Sequence, residues 1–123
     1  MTKGNYVDGF VLTIPKKNSA AYIKMATEGK ETWMKFGALD YKECIIDDGK
    51  PKHVALPFAK MIASKPGEMV WFSYIVYKNR KHRDAVNKKV MAYFDKKYAG
   101  VEQDMPFDPK RFAYAGFEVK VSA

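Results

Sequence analysis

The chain has 123 residues, enough for one domain with a real core, and is 47% hydrophobic and 29% charged, the balance of a globular protein. No run approaches the roughly 18 apolar residues of a membrane span, and Cys44, the only cysteine, excludes an internal disulfide and fits a reducing cytoplasm. A net charge of +8 and a pI near 9.5 permit acidic partners without demanding them.

The N-terminal residues 1–8 lack an apolar core and a cleavage site, so no secretory signal is expected and a cytoplasmic location is. Tyr6 to Ile14, rich in β-branched and aromatic residues, reads as a strand ended by Pro15. Asn18 is placed to cap a helix reaching about Phe36, with Tyr22, Met25, Ala26, Gly29, Trp33 and Phe36 on one stripe and Gly37 as the stop. Leu39 to Ile46 alternates as a second strand, and residues 47–51 are a turn. Leu56 to Ser64 predicts a short helix with Phe58, Met61 and Ile62 facing inward. Val70 to Tyr77 is a third strand. Asn79 then caps a helix running to about Tyr98, with Val86, Val90, Tyr93 and Phe94 on one face. Residues 100–109 are a loop, and Arg111 to Val121 is the last strand.

The order is that of an α+β, ferredoxin-like βαββαβ domain over residues 1–123, with a four-stranded antiparallel sheet and two main helices on one face. Crossover rules are expected to make strands one and three central and parallel, with strands two and four at the edges. The central strands are apolar on both faces: Val7 and Val11 oppose Tyr6, Phe10, Leu12 and Ile14, and Val70, Phe72, Tyr74 and Val76 oppose Trp71, Ile75 and Tyr77. Two helices cover one face, so the other is expected to pack sheet to sheet on a second copy. The competing expectation is that residues 49–68 fold over it.

Several blocks together resemble one known family. They are Tyr6-Val-Asp-Gly-Phe-Val11, Pro15-Lys-Lys-Asn18, the run from Ile75 to Met91, Met105-Pro-Phe-Asp108, Lys110-Arg111 and Gly116-Phe-Glu118. As a set they are similar to the YbaA-like family of proteins of unknown function, across nearly the whole chain. Ala115 departs from it, standing where that family tends to carry a second glycine. The resemblance implies the dimeric α/β-barrel superfamily, whose relatives include cofactor-free monooxygenases, heme-handling enzymes and isomerases. It carries over no catalytic residue, and fold analogy is a weak warrant for function.

Three sets of residues are candidates for chemistry. Residues 78–97 hold eight Lys/Arg against two Asp, a net of +6. If strands one and three run parallel, Lys16, Lys17, Lys78, Arg80, Lys81, His82, Arg83 and Arg111 meet at one edge beside two helix N-termini, an arrangement suited to anions. Asn79, His82, Arg83, Arg111 and Lys17 are the candidate ligand-binding residues. A helical wheel turns Asn79, His82 and Arg83 inward, whereas Lys88, Lys89, Lys96 and Lys97 read as solvated. The alternative is a solvated helix start with His82 and Arg83 paired to Asp84, Asp108 or a partner chain.

The second set is acidic. Asp8 shares the parity of Phe10 and Leu12, so it lies on a buried face and needs partners. Glu118 is expected beside it, and two close carboxylates would raise one pKa; Glu43 lies further off. The alternative leaves Asp8 satisfying backbone or tyrosine donors and Glu118 exposed. The third set is aromatic: Trp33, Trp71, Phe72, Tyr74, Tyr77, Phe112, Tyr114 and Phe117 either line a flat-ligand pocket or are plain core. Cys44 reads as a small buried residue and His53 as solvated. One cysteine and two histidines argue against a zinc cage, so no metal and no cofactor are expected.

The leading reading is a homodimeric barrel that binds a small anionic or aromatic ligand, whether or not it is an enzyme. The first alternative is a cofactor-independent oxygenase or isomerase using Asp8, His82 or Tyr114. The second is an RNA-associated basic protein, although no nucleic-acid signature is present. No membrane partner is expected.

Overall fold

Strand and helix patterns of the sequence reappear in a computed structural model that describes residues 4–123; the first three residues of the stretch read for a signal lie outside it. The strands are β1 (Tyr6–Pro15), β2 (Asp40–Ile45), β3 (Glu68–Tyr77) and β4 (Ala113–Glu118). The helices are α1 (Ser19–Lys35), the single turn α2 (Phe58–Met61) and α3 (Arg80–Lys97). The sheet order is β2-β3-β1-β4, with β1 and β3 central as expected.

The direction of the central pair differs from expectation. β1 and β3 are antiparallel, with Tyr6 opposite Tyr77 and Ile14 opposite Met69. The reason is topological. The α1 crossover joins β1 to β2, which are parallel but separated by β3, and the α3 crossover likewise joins β3 to β4. Every adjacent pair is therefore antiparallel. The end of β1 lies beside the start of β3, and the two ends of these ten-residue strands are about 30 Å apart.

Alternation divides the residues between two faces. Tyr6, Asp8, Leu12 and Ile14 of β1, with Trp71, Ser73, Ile75 and Tyr77 of β3, are buried on the helix side. One cluster gathers Tyr6, Ile75 and Tyr77 against Val86 and Val90 of α3; another packs Leu12, Ile14 and Trp71 on Tyr22 and Ala26 of α1. Full burial of each such aliphatic side chain is worth about 1.5–3 kcal/mol. Among the described residues, no helix is long and apolar enough to cross a membrane.

Helix ends carry two findings. Asn79 caps α3 through its side chain, accepting from the His82 N–H at 2.8 Å. Asn18 makes no such cap on α1; its side-chain amide donates to the Pro106 carbonyl instead, tying the helix start to the loop before β4. Gly37 ends α1 with φ at 112°, a conformation that favours glycine.

The opposite face of the sheet is open. Phe72 is 40% and Phe117 56% exposed, and Val7, Val11, Tyr74 and Val76 are half-buried beside them. Residues 49–68 cover only part of it, where Phe58 lies against Phe72 at 6.3 Å. The short helix forms as the single turn α2, but Phe58 and Met61 are exposed and not turned inward as the sequence suggested; Ile62 alone of the three is half-buried. Cys44, opposite Phe72 in the register, is exposed as well, contrary to expectation.

Candidate functional site

The antiparallel sheet separates the residues of the expected basic edge. Asn79, His82 and Arg83 sit where β3 ends and β1 begins. Lys17, exposed in the short 3-10 turn of residues 16–18, and Arg111 sit at the other end. Both arginines are already paired. Arg111 holds Glu68 through two bonds of 2.5 and 2.8 Å and also donates to the Ala63 carbonyl. This pairing brings the Glu68 carboxyl down to about 2, chiefly through its hydrogen bond to Arg111.

Arg83 turns inward as the helical wheel requires. Its Nη1 donates to Asp8 Oδ1 at 3.0 Å and to the Tyr114 hydroxyl, and its Nε to Asp84 at 2.8 Å. Its guanidinium also lies 5.1 Å over the Tyr6 ring. Asp8 is 1% exposed, and the Tyr114 hydroxyl and the Asn87 amide also serve its carboxyl as donors. Burial pushes the Asp8 pKa up, against the opposing pull of Arg83. Asn87 Oδ1 accepts from Trp33 Nε1 at 2.9 Å and from the Tyr77 hydroxyl at 3.0 Å, so the buried network extends to α1.

Asp8 and Glu118 do not form a carboxylate pair. Asp8 is opposite Gly116, while Glu118 is opposite Tyr6, exposed, and bonded to Lys120. His82 is a local tie. Its Nδ1 accepts from the Lys78 N–H at 2.9 Å, and its other nitrogen faces Gly37, with the bond to that backbone opposing the fall in pKa that burial causes. Lys97 is not simply solvated: it donates to Glu28 at 2.6 Å, and Tyr98 donates to the same carboxylate.

A cavity of about 340 Å³ opens between the helix side of the sheet, α1 and the end of α3, roofed by the loop before β4. It is in the lower part of the ~300–1,000 Å³ range of small-molecule sites. Its walls are aromatic. Trp33 lies 6.2 Å from Tyr41 and 6.1 Å from Phe94, while Phe107 stacks on Phe112 at 5.8 Å. Space for the Tyr41 hydroxyl comes from Gly29, where a Cβ would stand 3.1 Å from it.

Polar groups converge on Glu43, half-buried on β2 opposite Ser73. Its two oxygens accept from the Tyr22 and Tyr41 hydroxyls, each at 2.7 Å. Burial and then the Glu43 charge push both phenols well above their ordinary range, so both remain donors. No cation pairs with Glu43 among the described residues, and no Lys, Arg or His lines the cavity. Glu28, at the edge, is balanced by Lys97.

Of the aromatic residues singled out from the sequence, Trp33 and Phe112 line this cavity. Trp71 and Tyr77 are core, Tyr114 belongs with Arg83, and Phe72, Tyr74 and Phe117 share parity with the open face. Sequence reasoning missed Tyr22, Tyr41 and Glu43 as a set. The available signal was the shared parity of Tyr41 and Glu43 on β2, which puts a charge on the helix side. Among the described residues, no group of three or more His, Cys, Asp or Glu gathers as metal ligands do.

Comparisons with known proteins give the chain its place. Residues 5–109 match the family model described as "Protein of unknown function (DUF1428)". The "Uncharacterized protein YbaA" of Escherichia coli (strain K12) is 38% identical over 113 residues, covering 92% of this chain and 94% of that one; the protein of that name from Shigella flexneri matches equally. A solved structure described as a dimeric ferredoxin-like protein from an uncultured marine organism superposes with a TM-score of 0.52 at 12% identity, covering 97% of this chain and 99% of the other. That likeness shows the ferredoxin-like fold. On the family match and the 38% identity together, the chain belongs to the DUF1428 family, the YbaA-like proteins of unknown function.

Proposed function

We propose that this single-domain protein binds a small, flat aromatic molecule in the cavity between sheet and helices. The observation that carries the reading is a roomy, aromatic-walled cavity with a few convergent polar groups, the usual form of a small-molecule site. It favours the aromatic over the anionic ligand, because the cavity is lined by carboxylates and no cation. The former basic edge offers less, since Arg83 and Arg111 already hold Asp8 and Glu68. Binding is favoured over acid-base catalysis. Asp8 is sealed behind Arg83 and does not line the cavity, and His82 is tied to backbone. The protein acts as a homodimer, with the exposed Phe72 and Phe117 covered by a second copy.

The test is amide and indole NMR with one- and two-ring neutral aromatics at millimolar concentration. Shifts should concentrate at the Gly29 amide and the Trp33 indole N–H, leaving Trp71 unmoved. Absence of any shift at Gly29 and Trp33 across the series would refute the reading.

A further inference from the structure

The geometry points to a charge requirement in the cavity: its ligand is an aromatic amine or a comparable organic cation, held by Glu43. This deepens the binding function proposed above and rests on it. Glu43 stands half-buried on β2 with both oxygens committed to phenols, Tyr22 and Tyr41. Phenol donors occupy a carboxylate's oxygens without cancelling its charge. Among the described residues every other buried or half-buried carboxylate has a cation: Asp8 has Arg83, Glu28 has Lys97, Asp40 has Lys42 and Glu68 has Arg111. Glu43 faces a cavity instead.

The surroundings suit a cation on two further grounds. Trp33, Tyr41 and Phe94 line the same cavity as the carboxylate, and ring faces attract ammonium groups more strongly where water is excluded. Each carboxylate oxygen has a second acceptor site beyond the one its phenol uses, so an ammonium or ring N–H can donate without displacing either tyrosine. An anionic ligand would meet Glu43 with no compensating charge, and a neutral one would leave it unpaired in the closed site.

The experiment compares isosteres on the unmodified protein: tryptamine, its neutral alcohol analogue tryptophol and the anion indole-3-acetate, by calorimetry at pH 7. A charge-assisted hydrogen bond exceeds a neutral one enough to favour tryptamine over tryptophol by about tenfold or more, with indole-3-acetate weakest. Glu43→Gln should remove most of the preference for tryptamine over tryptophol, and circular dichroism will show whether this variant is folded. Tryptophol binding as tightly as tryptamine in the unmodified protein would overturn the charge requirement and leave the aromatic pocket standing. Failure of all three to bind would overturn both.

Discussion

Replacing Arg83 with methionine isolates what the Asp8 network contributes. The substitution keeps most of the aliphatic stem and removes the guanidinium from Asp8, Asp84 and Tyr114. Removing one partner of a buried ion pair costs about 3–5 kcal/mol when the other charge is stranded. Here Arg83 is 13% exposed, and Asp8 keeps Asn87 and Tyr114 as donors, so about 2–3 kcal/mol is expected at pH 7. For a chain of this size that is a fall in Tm of roughly 6–15 °C. The sign of the pH dependence follows from Asp8. Its folded pKa is already raised by burial and rises further without Arg83. A group raised in the folded state contributes stability that is present below its unfolded pKa and lost as pH climbs through the folded one. The variant should therefore be nearer to wild type at pH 4 than at pH 7. Urea unfolding of Arg83→Met, Asp8→Asn and the double variant closes a cycle whose coupling should be about 1–3 kcal/mol. A loss under about 0.5 kcal/mol at pH 7, the range of an ordinary surface substitution, would refute the account of Arg83 as a buried counter-ion.

Three further outcomes follow from the same structure. Glu68, held near 2 by Arg111, contributes stability that is complete above its unfolded pKa and lost as pH falls toward 2; Glu68→Gln should flatten that acid limb in a pH series of thermal melts. Gly29→Leu should fill the space beside Tyr41 and Trp33 and abolish aromatic binding by NMR, while circular dichroism shows helix content kept. Phe72→Glu should convert a sedimenting dimer to monomer without unfolding it, because the ring lies on the open face and outside the core; a wild-type monomer at micromolar concentration would end the dimer reading.

The period-two and helical patterns made most of the architecture legible. β1 to β4, the caps and stops at Asn79 and Gly37, and the inward turn of Arg83 all appear in the residues themselves. Asp8 was identifiable as a buried carboxylate in need of partners from its parity with Phe10 and Leu12. Its partner was harder to see, because a parallel β1–β3 pair puts Arg83 at the far end of β1, whereas the antiparallel pair puts Ile75 beside Asp8 and the start of α3 close by. The direction was implicit in the ferredoxin-like order itself, because each crossover joins parallel strands with one strand between them, which leaves neighbouring β1 and β3 antiparallel. The cavity was illegible for another reason. Its polar centre joins Tyr22 on α1 to Tyr41 and Glu43 on β2, and only the packing of that helix on the sheet makes them neighbours.

The distribution of charge gives one more consequence for the proposed ligand. The chain carries +8, yet Arg83 faces Asp8, Arg111 faces Glu68, and Lys78, Arg80, Lys81, Lys88 and Lys89 are exposed around α3. A cationic ligand thus approaches a positive surface and ends beside a carboxylate in a site of lower dielectric. The long-range repulsion is screened over about 8–10 Å at physiological salt, while the contact with Glu43 is screened much less. Raising salt from 50 to 200 mM should accordingly speed association of tryptamine in stopped-flow fluorescence and leave its affinity weakened little. A polyanion bound on the exposed lysines must behave oppositely, losing affinity steeply over the same range as counterions are released. Steep weakening of RNA binding, together with a slower amine association at high salt, would place the functional surface on α3 and away from the cavity.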